Sequence, residues 1–419
     1  MKTSRIALLV SFWLGSLAGT IQAGELIERE GKFIRLTADL ESAEQCDELV
    51  ASFDAAVPQW LKFWNLPENA VKSWQVQACV IRDKRRFNQH GLIPGDLPDF
   101  PFGYTRDNRI WILAQPSEYY TRHLLLHEGA HALAFHKFQG AGATWFMEGT
   151  AELLATHSGT GQDVLINQIP TSRDAVPYWG RFKLIKQLRA ADKVPSIETV
   201  MRYQPNLLGE VDVYGWSWAA TMMFHAYPEY QNAFMSAARN GRDTSSAFNR
   251  RFFLQLRSAW PVVHARWRLM CHDLDYGFDW SSERVELSER DPVWGGNPLE
   301  VNVASNGSWQ SIGVRIPPNT KLKITASGQV ILATEPKPWI SEPPGITFQY
   351  HEGCPIGQLV ACVLPNAIDR AAQVAPLNVR AIASDTTIEV GQFSWLLLRV
   401  NDAVGNRSDN TGSYQVKIK

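Results

Sequence analysis

The chain has 419 residues, 45% hydrophobic and 20% charged, with 41 basic side chains against 42 acidic ones and a formal net charge of -1. That length predicts two domains rather than one, and the composition is that of a globular chain, not a disordered one. With no basic excess to neutralise phosphates, the balance argues against nucleic acid or an anionic membrane surface as partner, and the run RDKRRF at 82–87 reads as a solvated face.

At the start, Lys2 and Arg5 precede an apolar run from Ile6 to about Leu17, and small residues follow up to Ala23. This pattern predicts a signal peptide over residues 1–23 and a secreted or periplasmic protein. The run is short for a span, and no later segment is apolar for long enough, so no membrane span is expected in the mature protein. Export permits disulfides, and five cysteines allow at most two intrachain bridges. Cys46 with Cys79 and Cys354 with Cys362 are the pairs that fall within one expected domain, leaving Cys271 free; sequence does not fix the pairing.

Residues 24–284 read as one α+β domain. KFIRLTA is a strand, and a helix follows from the N-cap Ser42, with Leu49, Phe53 and Val57 as its apolar stripe. WQVQACVIRD is a second strand, with Val76, Ala78 and Val80 on one face, and NRIWILA is a third. From Pro116 to about Asp279 the pattern is mostly helical. The polar stretch 285–298, ending Gly-Gly-Asn-Pro, reads as a linker. Residues 299–419 break into short apolar runs separated by Gly, Pro, Asn and Asp, which predicts an all-β sandwich.

One stretch carries chemistry. TRHLLLHEGAHALAFHKF, residues 121–138, holds His127, Glu128 and His131 as H-E-x-x-H. Four residues apart on a helix, the two imidazoles point the same way within about 40° and can ligate one zinc. Glu128 stands beside them as a general base for a water activated by the metal. A catalytic zinc needs a third protein ligand and an open position. A downstream histidine is excluded, since Lys137 occupies its place, Ala134 replaces the accompanying glycine and His136 is out of register. The segment TWFMEGTAELLA at 144–155 instead offers Glu148 and Glu152, also four apart and on one face.

Through these residues the chain resembles the gluzincin metallopeptidases, the peptidase MA-like superfamily that includes the aminopeptidase N type. Their second motif matches Trp145, Glu148, Gly149, Ala151 and Glu152. The resemblance implies a zincin-like fold with Glu148 as third zinc ligand, Glu152 behind a zinc histidine, and Tyr214 of VDVYGWSW as oxyanion donor. His225 on the same segment reads as structural. The segment by which aminopeptidase N reads a free amino terminus is absent. FGYTRDNRIWIL stands there instead, a strand whose edge can pair with an extended substrate.

The last domain resembles the galactophilic PA-IL-like lectins, most closely at VNDAVGNRSDNTGSYQV. That likeness implies calcium held by Asp402, Asn406, Asp409 and Asn410, with a main-chain carbonyl near Leu332, all hard oxygen donors. A tyrosine usual in that family is replaced here by Leu332, and His351 has no secure sugar-binding equivalent. The reading is an exported zinc metallopeptidase acting on a peptide, protein or glycoprotein, with a lectin-like module for a glycan. The alternative is a carbohydrate-binding or adhesion protein on an inactive peptidase scaffold.

Overall fold

In the strand Val76–Ile81, Val76, Ala78 and Val80 face one apolar cluster while Cys79 and Ile81 face another, so this strand is covered on both sides. It is central in a five-stranded sheet of order β1-β2-β3-β5-β4, formed by β1 (Ile27–Glu30), β2 (Ile34–Ala38), β3 (Val76–Ile81), β4 (Gly103–Arg106) and β5 (Arg109–Leu113). Strands β2, β3 and β5 run parallel, and β4 closes the edge antiparallel to β5. The computed structural model describes residues 25–207, 209–368, 371–382 and 385–419, and the expected signal peptide lies outside them.

The helices follow from capping and amphipathic spacing. Helix α1 (Ala43–Phe63) starts where Ser42 Oγ accepts from Gln45 N, and buries Leu49, Phe53 and Val57 as the stripe predicts. After α2 (Lys84–Gln89) come the two motif helices, α3 (Glu118–Phe138) and α4 (Thr144–Ala155). A short hairpin, β6 (His157–Ser158) with β7 (Leu165–Ile166), leads to α5 (Arg181–Ala190), α6 (Ile197–Met201), α7 (Val211–Ala226), α8 (Pro228–Arg239), α9 (Ser246–Leu256), α10 (Trp260–Asp273) and α11 (Trp280–Glu283). No helix among the described residues is long and apolar enough to cross a membrane.

The remainder is a β-sandwich, so the chain is α+β. One sheet is built on β14 (Thr411–Ile418), flanked by β8 (Leu299–Ala304) and β10 (Thr320–Ser327). The other sheet is formed by β9 (Gln310–Ile316), β11 (Leu359–Pro365), β12 (Val379–Ile382) and β13 (Ser394–Val400), in the order β12-β11-β13-β9. Leu359, Ala361, Leu396 and Leu398 face the sandwich core. Val360, Cys362, Trp395 and Leu397 face outward, against Val262, Ala265 and Leu269 of α10. Burial on both faces is why LVACVL and SWLLLRV are continuous apolar runs rather than alternating ones.

The two halves therefore share a core. Across the junction, Arg399 pairs with Asp273 at 2.6 Å and Arg407 donates to both oxygens of Glu283 at 2.8 and 2.9 Å, all four buried. Main-chain bonds join Ser196 to Ala372 and Val374 to Val194.

Two expectations need correction. The stretch 285–298 is not a free linker, because Val285 and Leu287 are buried in the shared cluster. The proposed disulfides are absent: all five cysteines are free. Cys46 and Cys79 lie in clusters on opposite faces of the sheet, out of bonding reach. Cys354 and Cys362 share a cluster without being bonded.

Candidate metal centre

Helix α3 is buried almost continuously from Tyr119 to Ala134, enclosed by the sheet, α1, α4 and neighbouring helices. The glycine inside each motif is a packing requirement. A Cβ on Gly129 would lie 2.5 Å from the Phe53 ring and 2.7 Å from Trp60, so α1 crosses α3 there. A Cβ on Gly149 would lie 2.3 Å from the Ser217 carbonyl oxygen, so α4 and α7 cross at that point.

This packing brings three donors together. His127 Nε2 lies 3.1 Å from His131 Nε2 and 3.2 Å from Glu148 Oε2, and His131 Nε2 lies 3.5 Å from the same oxygen. A tetrahedral zinc with bonds of about 2.0–2.1 Å separates its ligand atoms by about 3.3–3.4 Å, so the triangle has the right size. All three residues are buried. Burial alone would raise the Glu148 carboxyl, but His131 and His127 hold it below its ordinary value. Burial would likewise lower His127, but Glu148 and Glu152 outweigh it. A buried, acceptor-rich cluster of this kind fits a divalent cation.

Glu128, next to His127 in sequence, reaches the edge strand of the sheet. Thr105 Oγ1 in β4 donates to Glu128 Oε2 at 2.6 Å and lies 3.0 Å from its main-chain oxygen. A Cβ on Gly103, two residues earlier on the same strand, would sit 2.5 Å from Glu128 Oε1. The expected base is thus seated against the edge strand by a hydroxyl and by a missing side chain.

Tyr214, in the first turn of α7, is half-buried with its ring centroid 6.1 Å from that of His127. Burial, then the carboxylates Glu148, Glu152 and Glu128, push its phenol up, so it stays a protonated donor. His225 stacks on Phe63 at 4.4 Å, away from the cluster.

Glu152 stands behind the triangle, with Oε1 3.4 Å from His127 Nδ1 and Oε2 3.4 Å from His123 Nε2. Arg181 donates to both its oxygens, at 2.9 and 3.2 Å. Burial would raise the Glu152 carboxyl, yet Arg181 and His123 hold it well below the usual range. Sequence reasoning missed His123, Arg181, Thr105 and Gly103. His123 could have been found, since it precedes His127 by four residues on the same helix face. The others come from separate elements and carry no periodic signal.

In the sandwich, Asp402, Asn406 and Asp409 line a cavity of about 490 Å³ with Ser408, Leu332 and Trp339. Asn410 stands behind it: its Nδ2 donates to Asp402 Oδ2 at 3.1 Å and to the Ser305 carbonyl at 3.2 Å, and its Oδ1 is buried without a hydrogen-bond partner. These hard donors, with one orphaned oxygen, fit a calcium ion. His351 is outside this lining; its carbonyl accepts from Asn401.

No family model matches the chain, and no curated protein matches it. Among solved structures, a chain described as the N-terminal domain of EclA, a PllA-like lectin, is similar at 18% identity, over 29% of this chain and 93% of its own, with a TM-score of 0.22.

Proposed function

We propose that this protein is a zinc-dependent peptidase. The observation that supports it best is the donor triangle of His127, His131 and Glu148 beside a glutamate seated on a free sheet edge. Zinc held there would supply Lewis acidity towards a water and the scissile carbonyl.

The rest is work for the chain's own residues. The outer edge of β4, which pairs with no further strand among the described residues, offers main-chain groups to an extended peptide. Glu128 takes a proton from the attacking water and delivers it to the leaving amine, its carboxylate held meanwhile by Thr105. Tyr214 donates to the carbonyl oxygen as negative charge develops on it. The sandwich takes calcium at Asp402, Asn406, Asp409 and Asn410, and brings a glycan or glycosylated substrate to the enzyme.

A second reading, a glycan-binding protein on an inactive scaffold, draws on the exposed aromatics Phe348 and Tyr350, the former stacked edge-on against Trp339 beside the cavity. A mixed peptide library separates the two. Chelator-sensitive cleavage by the wild type, lost in a Glu128→Gln variant that keeps its zinc, supports the peptidase. A zinc-loaded wild type that cleaves nothing yet is retained on immobilised glycans favours the second reading.

A further inference from the structure

Arg181 belongs to neither motif, yet it touches both sides of the site. It opens α5, is only 5% exposed, and grips both oxygens of Glu152, itself 1% exposed. Its guanidinium carbon lies 5.6 Å from the Tyr214 ring centroid. Its Cδ would lie 3.8 Å from a Cβ on Gly215, so its stem packs along the start of α7.

A buried Glu–Arg pair is a poor device for stability alone, because apolar side chains of similar volume serve as well or better. This pair faces functional groups instead. The oxygen gripped by Nη2, Glu152 Oε1, is the one 3.4 Å from His127 Nδ1. A carboxylate fixed by a two-pronged guanidinium cannot rotate away, and, being an ionised acceptor 3.4 Å from His127 Nδ1, which has no other partner, it favours the tautomer that carries the proton on Nδ1. The lone pair of His127 Nε2 is then directed to the side where His131 Nε2 and Glu148 Oε2 lie.

We infer that Arg181 is a positioning residue that aligns two groups on different helices at once: Glu152 behind the zinc ligand His127, and the oxyanion donor Tyr214. The inference rests on the zinc reading above. Lysine cannot replace it, since an ammonium lacks the fixed fork.

The test measures zinc affinity by competition with a chromophoric chelator, and kcat and KM separately at saturating zinc. Arg181→Met is expected to weaken zinc by about 10- to 100-fold, the range for partners of metal-ligating histidines. Arg181→Lys recovers only part of this. In a Glu152→Gln background Arg181→Met adds little further zinc loss, because both act through one oxygen. At saturating zinc its kcat still falls with KM little changed, and this residual effect disappears in a Tyr214→Phe background.

A folded Arg181→Met variant with wild-type zinc affinity overturns the inference. So does full additivity of the zinc effects of Arg181→Met and Glu152→Gln. Should Arg181→Met not fold, Arg181→Lys decides, since wild-type zinc affinity in it would mean that the fork is dispensable. A wild type that binds no zinc overturns the zinc reading and this inference together; a zinc-binding wild type with an indifferent Arg181 overturns the inference alone.

Discussion

Replacing Gly103 by alanine adds one methyl group at the point where β4 meets the expected base. The new Cβ would lie 2.5 Å from Glu128 Oε1 and 3.0 Å from its Cδ and Cγ. Normal contact between such atoms begins near about 3.5 Å, so the carboxylate must retreat by about 1 Å. It also strains the 2.6 Å bond from Thr105, which fixes the other oxygen. A displacement of about 1 Å in a catalytic group costs about 10²-fold in rate, or about 2.7 kcal/mol of transition-state stabilisation. Glu128 supplies none of the three clustered donor atoms, so zinc content should stay at the wild-type level. Alanine also costs less backbone entropy than glycine in a strand, so the melting temperature should not fall appreciably. The assay is kcat/KM on a peptide cleaved by the wild type, beside zinc content and thermal unfolding. Full activity in Gly103→Ala would refute the placement of Glu128 against the edge strand, and loss of zinc would refute the separation of base from ligands.

Three further outcomes are expected. Tyr214→Phe should lower kcat by about 10²- to 10³-fold with KM and zinc content unchanged, as for loss of one oxyanion donor; a rise in KM alone would make the tyrosine a substrate contact. Asp273→Asn should cost roughly 3–5 kcal/mol in a denaturant titration, because it leaves the buried Arg399 guanidinium without its carboxylate. That carboxyl is subject to burial, which would raise it, but Arg399, His272 and Arg407 hold it below its ordinary value. The stabilisation it contributes is therefore complete above the ordinary carboxyl value of about 4 and is lost progressively as the pH falls from there through the lowered folded-state value; Asp273→Asn should flatten that acid limb, and an unchanged limb would assign it to other groups. Expression of residues 24–298 alone should give an aggregated or unfolded product, since Val262, Ala265 and Leu269 lose their apolar cover and Glu283 loses Arg407; a soluble fragment with a cooperative melt would contradict the shared core.

What could be read directly from the sequence was whatever a single element encodes. His127 and His131 share one helix, and Glu148 and Glu152 share the next, so a spacing of four places each pair on one face. The sequence assignments match the structure in α1, where the apolar stripe is strong, and in β3, which is apolar on both faces. Assembly between elements was another matter. Thr105 and Glu128 are 23 residues apart and Glu152 and Arg181 are 29 apart, and neither partner signals the other. The stretch 285–298 is polar on average, which concealed the two anchoring residues Val285 and Leu287. Cysteine pairing failed because strand alternation sends Cys79 to the face opposite Cys46.

The central claim is that His127, His131 and Glu148 hold one zinc ion. Metal analysis of the purified protein, wild type beside Glu148→Ala, tests it without any choice of substrate. One tightly held zinc per chain in the wild type, weakened or lost in the variant, is the expected result. A wild type that takes up no zinc under metal-replete conditions, or a Glu148→Ala variant that binds it as tightly, would contradict the claim.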